Sequence, residues 1–237
     1  MRRATNWLLG RGRRAMNMRY EETPFRDRED AGRRLAEQLA AYRDESLIVL
    51  ALPRGGVPVG YEISRALDAP LDVFLARKLG APGQPEFGIG AVAQGGVRVL
   101  NEDAVRTLGI PDDYIERVAD RETAEIVRRL KLLRGDRPEP GVRGRTAILV
   151  DDGLATGVTA RAAIEALRQR SPQRLLLAVP VCAAQTTETL RSEVDELVCL
   201  KAPSDLVAIG LWYRDFEQVS DEEVIELLEN ARSAAAE

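Results

Sequence analysis

The segment with the clearest chemical content runs from Thr146 to Thr159. An apolar run ends on two adjacent carboxylates, Asp151 and Asp152. A turn of small residues follows (Gly153, Leu154, Ala155, Thr156, Gly157), and Val158 and Thr159 open a helical pattern. Ligands of open α/β sheets bind at the carboxyl ends of the strands. The turn offers backbone N–H groups, the hydroxyls of Thr156 and Thr159 and a helix N-terminus, which together suit a phosphate. Asp151 and Asp152 beside it can accept hydrogen bonds from two sugar hydroxyls, so a phosphosugar satisfies both halves of the segment. The competing explanation is an acidic strand end with an ordinary turn.

A second anion-compatible turn closes the earlier apolar run, at Pro53, Arg54, Gly55 and Gly56. Glycines there let the backbone approach an anion closely, and Arg54 supplies charge and a fork of donors. The chain contains no histidine, which removes the commonest general base, a Ser-His hydrolase arrangement and any histidine metal site. Chemistry must rest on carboxylates, hydroxyls, arginines, three lysines and backbone amides. Two other phosphate patterns fail. Gly88 to Ala93 fits a dinucleotide fingerprint by letters, but Gly95 and Gly96 follow it instead of a helix. A GxxxxGK[ST] loop is not found. An aspartyl phosphoryl-acceptor domain, with Asp151 or Asp152 as acceptor, is a further alternative. Such domains place their acids at the first strand, whereas this pair follows several elements.

The elements that must position these residues read as a βα series. Residues 28–42 have apolar positions at helical spacing, and the unbroken run at 47–52 suits a strand buried on both faces of a parallel sheet. A helix at 57–67 and a strand at 71–76 complete a βαβ unit. A Gly/Pro-rich stretch at 80–90 precedes alternating residues around Gly95-Gly96, the signature of a two-residue hairpin outside the parallel core. A charged helix at 112–133 and a Pro/Gly/Arg linker at 135–144 lead to strands at 146–150, 175–181, 196–200 and 207–211. Helices at 159–169 and 185–193 alternate with these strands, and an acidic helix at 221–231 follows. The expected fold class is α/β, a doubly wound, mostly parallel sheet flanked by helices with an inserted β-hairpin flap at about 77–100 and hood elements at about 201–237. Residues 20–237 are expected to form a single domain.

The 237 residues are 45% apolar, enough for a substantial core. No apolar run approaches the ~20 residues of a membrane span. Residues 1–19 carry six arginines and no acid, leaving 28 basic against 38 acidic residues in the remainder. This balance disfavours nucleic-acid binding by the folded part and marks the first 19 residues as a basic, disordered extension, with Met16 and Met18 as alternative starts. Cys182 and Cys199 lie far apart in apolar stretches and form no CxxC, so both are expected in the core of a reduced, cytoplasmic protein.

The 146–159 segment resembles the signature of the type I phosphoribosyltransferases, an apolar strand running into two acids and a small-residue loop. The resemblance implies that Asp151 and Asp152 hold the ribose 2- and 3-hydroxyls of 5-phosphoribosyl-1-pyrophosphate while Ala155 to Thr159 wrap the 5-phosphate, with Gly153 and Leu154 part of the same ribose and phosphate site. Arg54, Gly55 and Gly56 look like the family's pyrophosphate loop. Arg77 and Lys78, with Glu86 shortly after, are similar to the mobile loop of adenine phosphoribosyltransferases, where Arg77 and Lys78 would meet pyrophosphate and Glu86 would serve as general acid/base. The stretch around Trp212 and Tyr213 looks like the late strand and turn of purine enzymes, whose aromatics can stack on a base. Three positions depart from the 6-oxopurine enzymes: Ala155 and Trp212 stand where those enzymes carry aspartates, and Cys182-Ala183-Ala184 stands where they carry a lysine. Ala155 matches adenine- and orotate-type loops. The whole pattern is most similar to an uncharacterised phosphoribosyltransferase-like group. The implied activity is transfer of the phosphoribosyl group to a nitrogenous base of unknown identity, with Mg2+ bound through the substrate and a homodimeric assembly. The alternative is a non-catalytic sensor of the phosphosugar or a nucleotide that regulates a partner.

Overall fold

The computed structural model describes residues 25–234, with Glu86 described in its backbone alone. The expected basic extension at 1–19 lies outside the described residues. The central sheet is parallel throughout, in the order β2-β1-β6-β7-β8, built from β1 (Leu47–Ala51), β2 (Leu71–Val73), β6 (Thr146–Val150), β7 (Arg174–Val181) and β8 (Glu196–Lys201). Every residue of β1 and β6 is buried, as a strand covered on both faces requires. Alternate side chains feed two separate cores. Leu47, Val49, Ala51, Ile148 and Val150 pack with α1 (Arg28–Gln38), α2 (Gly56–Leu67), α4 (Asp112–Arg134) and α7 (Asp221–Ala234). Ile48, Leu50, Ala147 and Leu149 pack with α5 (Val158–Arg168) and α6 (Ala184–Arg191). Asp27 caps α1 by accepting the N–H of Asp30 at 2.7 Å.

A second, antiparallel sheet, β3-β4-β5, forms the flap from β3 (Ala76–Ala81), β4 (Gln84–Ala93) and β5 (Arg98–Leu100). Gly95 and Gly96 make the expected turn, with φ of 98° and 83°. Three expectations need correction. The strand predicted at 71–76 stops at Val73, and the chain leaves the parallel sheet so that Ala76 begins the flap. The stretch compared to a mobile loop, Arg77 to Gly83 with Glu86, is instead the β3-β4 hairpin: Pro82 and Gly83 separate paired Ala81 and Gln84, and Gly83 takes φ 69°, which suits the second position of a Pro-Gly turn. The strand predicted at 207–211 is a 3-10 turn, Ile209–Trp212. It crosses the carboxyl edge of the sheet, where Ile209 packs against Gly153, instead of pairing beside β8. A short helix α3 (Glu102–Leu108), bracketed by Asn101 and Gly109, was not anticipated.

The flap side of the molecule is anchored by one buried ion pair. Arg134 at the end of α4 reaches Asp72 of β2 (Nε to Oδ2, 2.9 Å) and donates to the Val73 carbonyl at 3.0 Å. Burial pushes the Asp72 carboxyl upward and Arg134 pulls it back. Arg134→Ala leaves a buried carboxylate without its partner, at a cost of about 3–5 kcal/mol, or a fall in Tm of roughly 10 °C. Differential scanning calorimetry checks this. Adding Asp72→Asn should recover most of the loss, and a fall below about 2 °C in the single variant would contradict the assignment.

Candidate phosphate and sugar site

β1 and β6 are hydrogen-bonded neighbours with Ala51 opposite Val150, and the Leu52 N–H donates to the Val150 carbonyl at 2.8 Å. The turn at 53–56 and the acid pair therefore leave the sheet side by side. The fit is close enough to dictate residue type. A Cβ on Gly55 would lie 1.8 Å from Asp152 Oδ2, and one on Gly56 would lie 2.7 Å from the Val150 carbonyl oxygen and 3.0 Å from Asp151 Cα. Two motifs almost one hundred residues apart thus form one contact surface.

The acid pair is held from three sides. The Asp152 N–H donates to Asp151 Oδ1 at 2.9 Å. Arg28, the first residue of α1, donates from Nε to Asp152 Oδ2 at 2.8 Å, with the two side chains only 12% and 14% exposed. The Tyr213 hydroxyl donates to the Asp152 carbonyl at 2.6 Å. Burial, reinforced by the neighbouring Asp152 charge, pushes the Asp151 carboxyl well above the usual range. Burial also raises Asp152, while Arg28 draws it back toward the ionised form.

The turn beyond them is braced from behind. Gly157 has φ 67°, and a Cβ there would lie 2.6 Å from Thr186 Cγ2, so glycine is required for both conformation and space. Thr186 donates its hydroxyl to the Ala155 carbonyl at 2.6 Å. Gly157 is the cap of α5 and supplies no side-chain bond to the first N–H groups, which leaves a helix N-terminus suited to an anion. Ala155, Thr156, Gly157 and Val158 line a cavity of about 1060 Å³, whose opposite walls include Lys78 of the flap, Leu206 and Val207.

The predicted residues are only partly brought together. Lys78 faces this cavity, and the absence of a side chain at Gly88 makes room for it: a Cβ there would lie 2.8 Å from Lys78 Cδ. Arg77, its neighbour on β3, pairs instead with Glu122 of α4 at 2.5 Å and is correspondingly not placed at the phosphate turn. Arg54 stands beside the acid pair but directs its guanidinium toward Asp221 at 3.9 Å; Arg129 holds Asp221 much more closely, at 2.5 Å. Glu86 lies in β4, with its side chain outside the described residues. Tyr213 is not offered to a base. It is 5% exposed, packed between Phe25 and Phe216 with ring centroids at 5.3 and 4.9 Å, and Trp212 packs half-buried against the same cluster. Cys182 is buried and Cys199 partly so; burial pushes the Cys199 thiol up to about 11. Sequence reasoning missed Arg28, whose only local signal is its place behind an aspartate cap.

Because Asp151 titrates above the ordinary carboxylate value, the folded state holds a proton that the unfolded state has lost, so stability falls as pH rises from the usual carboxylate range through the raised folded value. Asp151→Asn keeps the hydrogen bonds and removes the charge. Its Tm should match the parent near pH 4 and exceed it by a few degrees at pH 8. Melting curves across that range decide it, and an advantage that does not grow with pH would contradict the raised Asp151.

A family model of the phosphoribosyl transferase domain matches residues 24–213. Over 213 residues the chain is 43% identical to two Mycobacterium tuberculosis proteins described as candidate phosphoribosyl transferases, MT0597 of strain CDC 1551 and Rv0571c of strain H37Rv. The match covers 90% of this chain and 48% of each relative, so the chain spans about half the length of the curated relatives it matches. The crystal structure of TT1426 from Thermus thermophilus superposes with a TM-score of 0.74 at 44% identity, covering 87% of this chain and 98% of that one. With its family model, relatives and acid-pair loop in agreement, the chain belongs to the type I phosphoribosyltransferase family.

Proposed function

We propose that this chain binds 5-phosphoribosyl-1-pyrophosphate and transfers its phosphoribosyl group to a ring nitrogen of a base, releasing pyrophosphate. The observation that carries this is the contact of Gly55 and Gly56 with the acid pair, beside the uncapped start of α5. It sets an anion-accepting turn, two sugar-hydroxyl acceptors and a second anion-accepting turn in one continuous surface. In this reading Asp151 and Asp152 take the ribose hydroxyls, and the backbone N–H groups and hydroxyls of 155–159 take the 5-phosphate. The acceptor nitrogen forms its bond to C1 as the C1–O bond breaks. Pyrophosphate departs with the electron pair toward Lys78 and Arg54, and the acceptor's proton passes to a base, the role that the resemblance gives Glu86. The protein's part is positioning and charge stabilisation.

Mg2+ would come bound to the substrate and would supply positive charge against the leaving pyrophosphate. The chemistry of the site suits that mode: Asp151 and Asp152 are already engaged by the Asp152 N–H and by Arg28 and serve the ribose hydroxyls in this reading, so the ion would take its oxygens from the substrate.

Isothermal titration with 5-phosphoribosyl-1-pyrophosphate, with and without Mg2+, followed by a base panel monitored for pyrophosphate, tests the assignment. Binding with release is expected, and the active base identifies the acceptor. Binding without release from any base would favour the regulatory sensor, and no binding would overturn the assignment. Asp151→Asn with Asp152→Asn should abolish binding while circular dichroism stays unchanged. Lys78→Ala should lower turnover about 100-fold with a smaller effect on binding.

A further inference from the structure

We propose that Arg28 is a positioning residue for the sugar site: it fixes the Asp152 carboxylate and ties it to the turn at 213–217, so that the acid pair and the hood move as one unit. The proposal rests on the phosphosugar reading above. It starts from the three directions in which one guanidinium is engaged. Nε donates to Asp152 Oδ2 at 2.8 Å, Nη1 donates to the Glu217 carbonyl at 2.7 Å, and the guanidinium carbon sits 3.8 Å from the centroid of Phe216. A planar fork serves two acceptors and one ring face together, which an ammonium does not.

The hood reaches the same aspartate by a second route. Tyr213 donates to the Asp152 carbonyl, and the Tyr213 ring is clamped by Phe25 and Phe216. The chain on either side is stitched to the segment leading into α1: the N–H of Arg214 donates to the Phe25 carbonyl at 3.0 Å and that of Asp215 to the Arg26 carbonyl at 2.9 Å. Residues 25–28 and 213–217 are therefore one bolted pair of segments. They hold Asp152 by its side chain through Arg28 and by its backbone through Tyr213. Gly55 packs directly against the Asp152 carboxyl on the side of the 53–56 turn.

The groups facing Asp152 are Arg28 from α1, Asp151 from the end of β6 and Tyr213 from the hood. The phenol of Tyr213 is held protonated by burial, and the 53–56 turn contributes glycine there, with Arg54 directed to Asp221. Arg28 touches only one carboxyl. It thereby makes the pair unequal: burial raises both carboxyls, and Arg28 draws Asp152 back toward the ionised form. A sugar diol that donates to both acids is received best when both are ionised, and Arg28 favours the ionised form of Asp152.

The test uses Arg28→Gln and Arg28→Lys in the full chain, with 5-phosphoribosyl-1-pyrophosphate titrated from pH 5.5 to 8.5. Without the guanidinium, Asp152 ionises at higher pH. Arg28→Gln should therefore weaken binding about 30-fold or more at neutral pH and move the pH midpoint of affinity upward. Arg28→Lys should restore part of the midpoint and less of the affinity. Binding as tight as the parent's, or tighter, would show that Arg28 merely competes for Asp152 and would overturn the proposal. So would weaker binding with an unmoved midpoint, which a purely structural role predicts. If Arg28→Gln fails to fold, Arg28→Lys decides on the same two readouts. If the parent itself binds no phosphosugar, the functional reading falls separately. The tie is then read in the ligand-free protein, from the carbon-13 carboxyl titration of Asp152 and amide exchange over 211–219: both shifting in Arg28→Gln supports it, and neither shifting overturns it.

Discussion

The site depends on the register between β1 and β6. Ala51 opposite Val150 makes the two strands end level, and only then does Gly55 meet Asp152. Register in a sheet is specified where faces are buried, because a slip of one residue exchanges the two faces. Here both faces are buried and carry different partners, Val49 and Ile148 toward α1, α2, α4 and α7, Ile48 and Leu149 toward α5 and α6. A slip would disturb both cores at once. The apolar runs thus do more than fill the interior, since they fix the alignment that brings the two turns together.

That alignment sets a carboxylate pair into a poorly solvated corner, which opposes folding. Two devices offset the cost. Arg28 pairs with Asp152, and burial together with the Asp152 charge pushes the Asp151 carboxyl upward, toward its neutral form. Neither device fills the pair's surroundings with apolar groups, which would be more stabilising and would leave nothing to accept a hydroxyl. Stability withheld at this one point is consistent with a surface kept for a polar ligand.

What the sequence made legible follows from how far each signal reaches. Continuous apolar runs at 47–52 and 146–150 announced parallel strands, and the acids and glycines after them announced the site, because those signals are local. Asn101 and Gly109 around α3 were equally local and went unread. Arg28 was not legible: its role needs a partner 124 positions away, and nothing near Asp27 or Glu29 distinguishes it from an ordinary first-turn arginine. Tyr213 misled for the same reason, since an aromatic beside a loop looks like a stacking platform until Phe25 and Phe216 are found on its two sides.

Arg77 and Lys78 show how the fold separates residues that the sequence leaves equivalent. Both belong to β3, and a strand points successive side chains to opposite faces. Arg77 turns to α4, where Glu122 receives it, while Lys78 borders both the pocket on that side and the cavity beside the 153–159 turn. Which does which is decided by the flap's docking on α4, and α4 is itself fixed at two places, by Arg134 on Asp72 and by Arg129 on Asp221. Those ion pairs fix the helix against which the Lys78-bearing flap docks. Leu206 and Val207, on the chain leaving β8, face the same cavity. In the proposed reading, the phosphosugar is met by the sheet edge, and the flap and hood supply the rest of the cavity wall. On that reading, residues of the flap and hood can change the character of the cavity without touching the register that brings the two turns together.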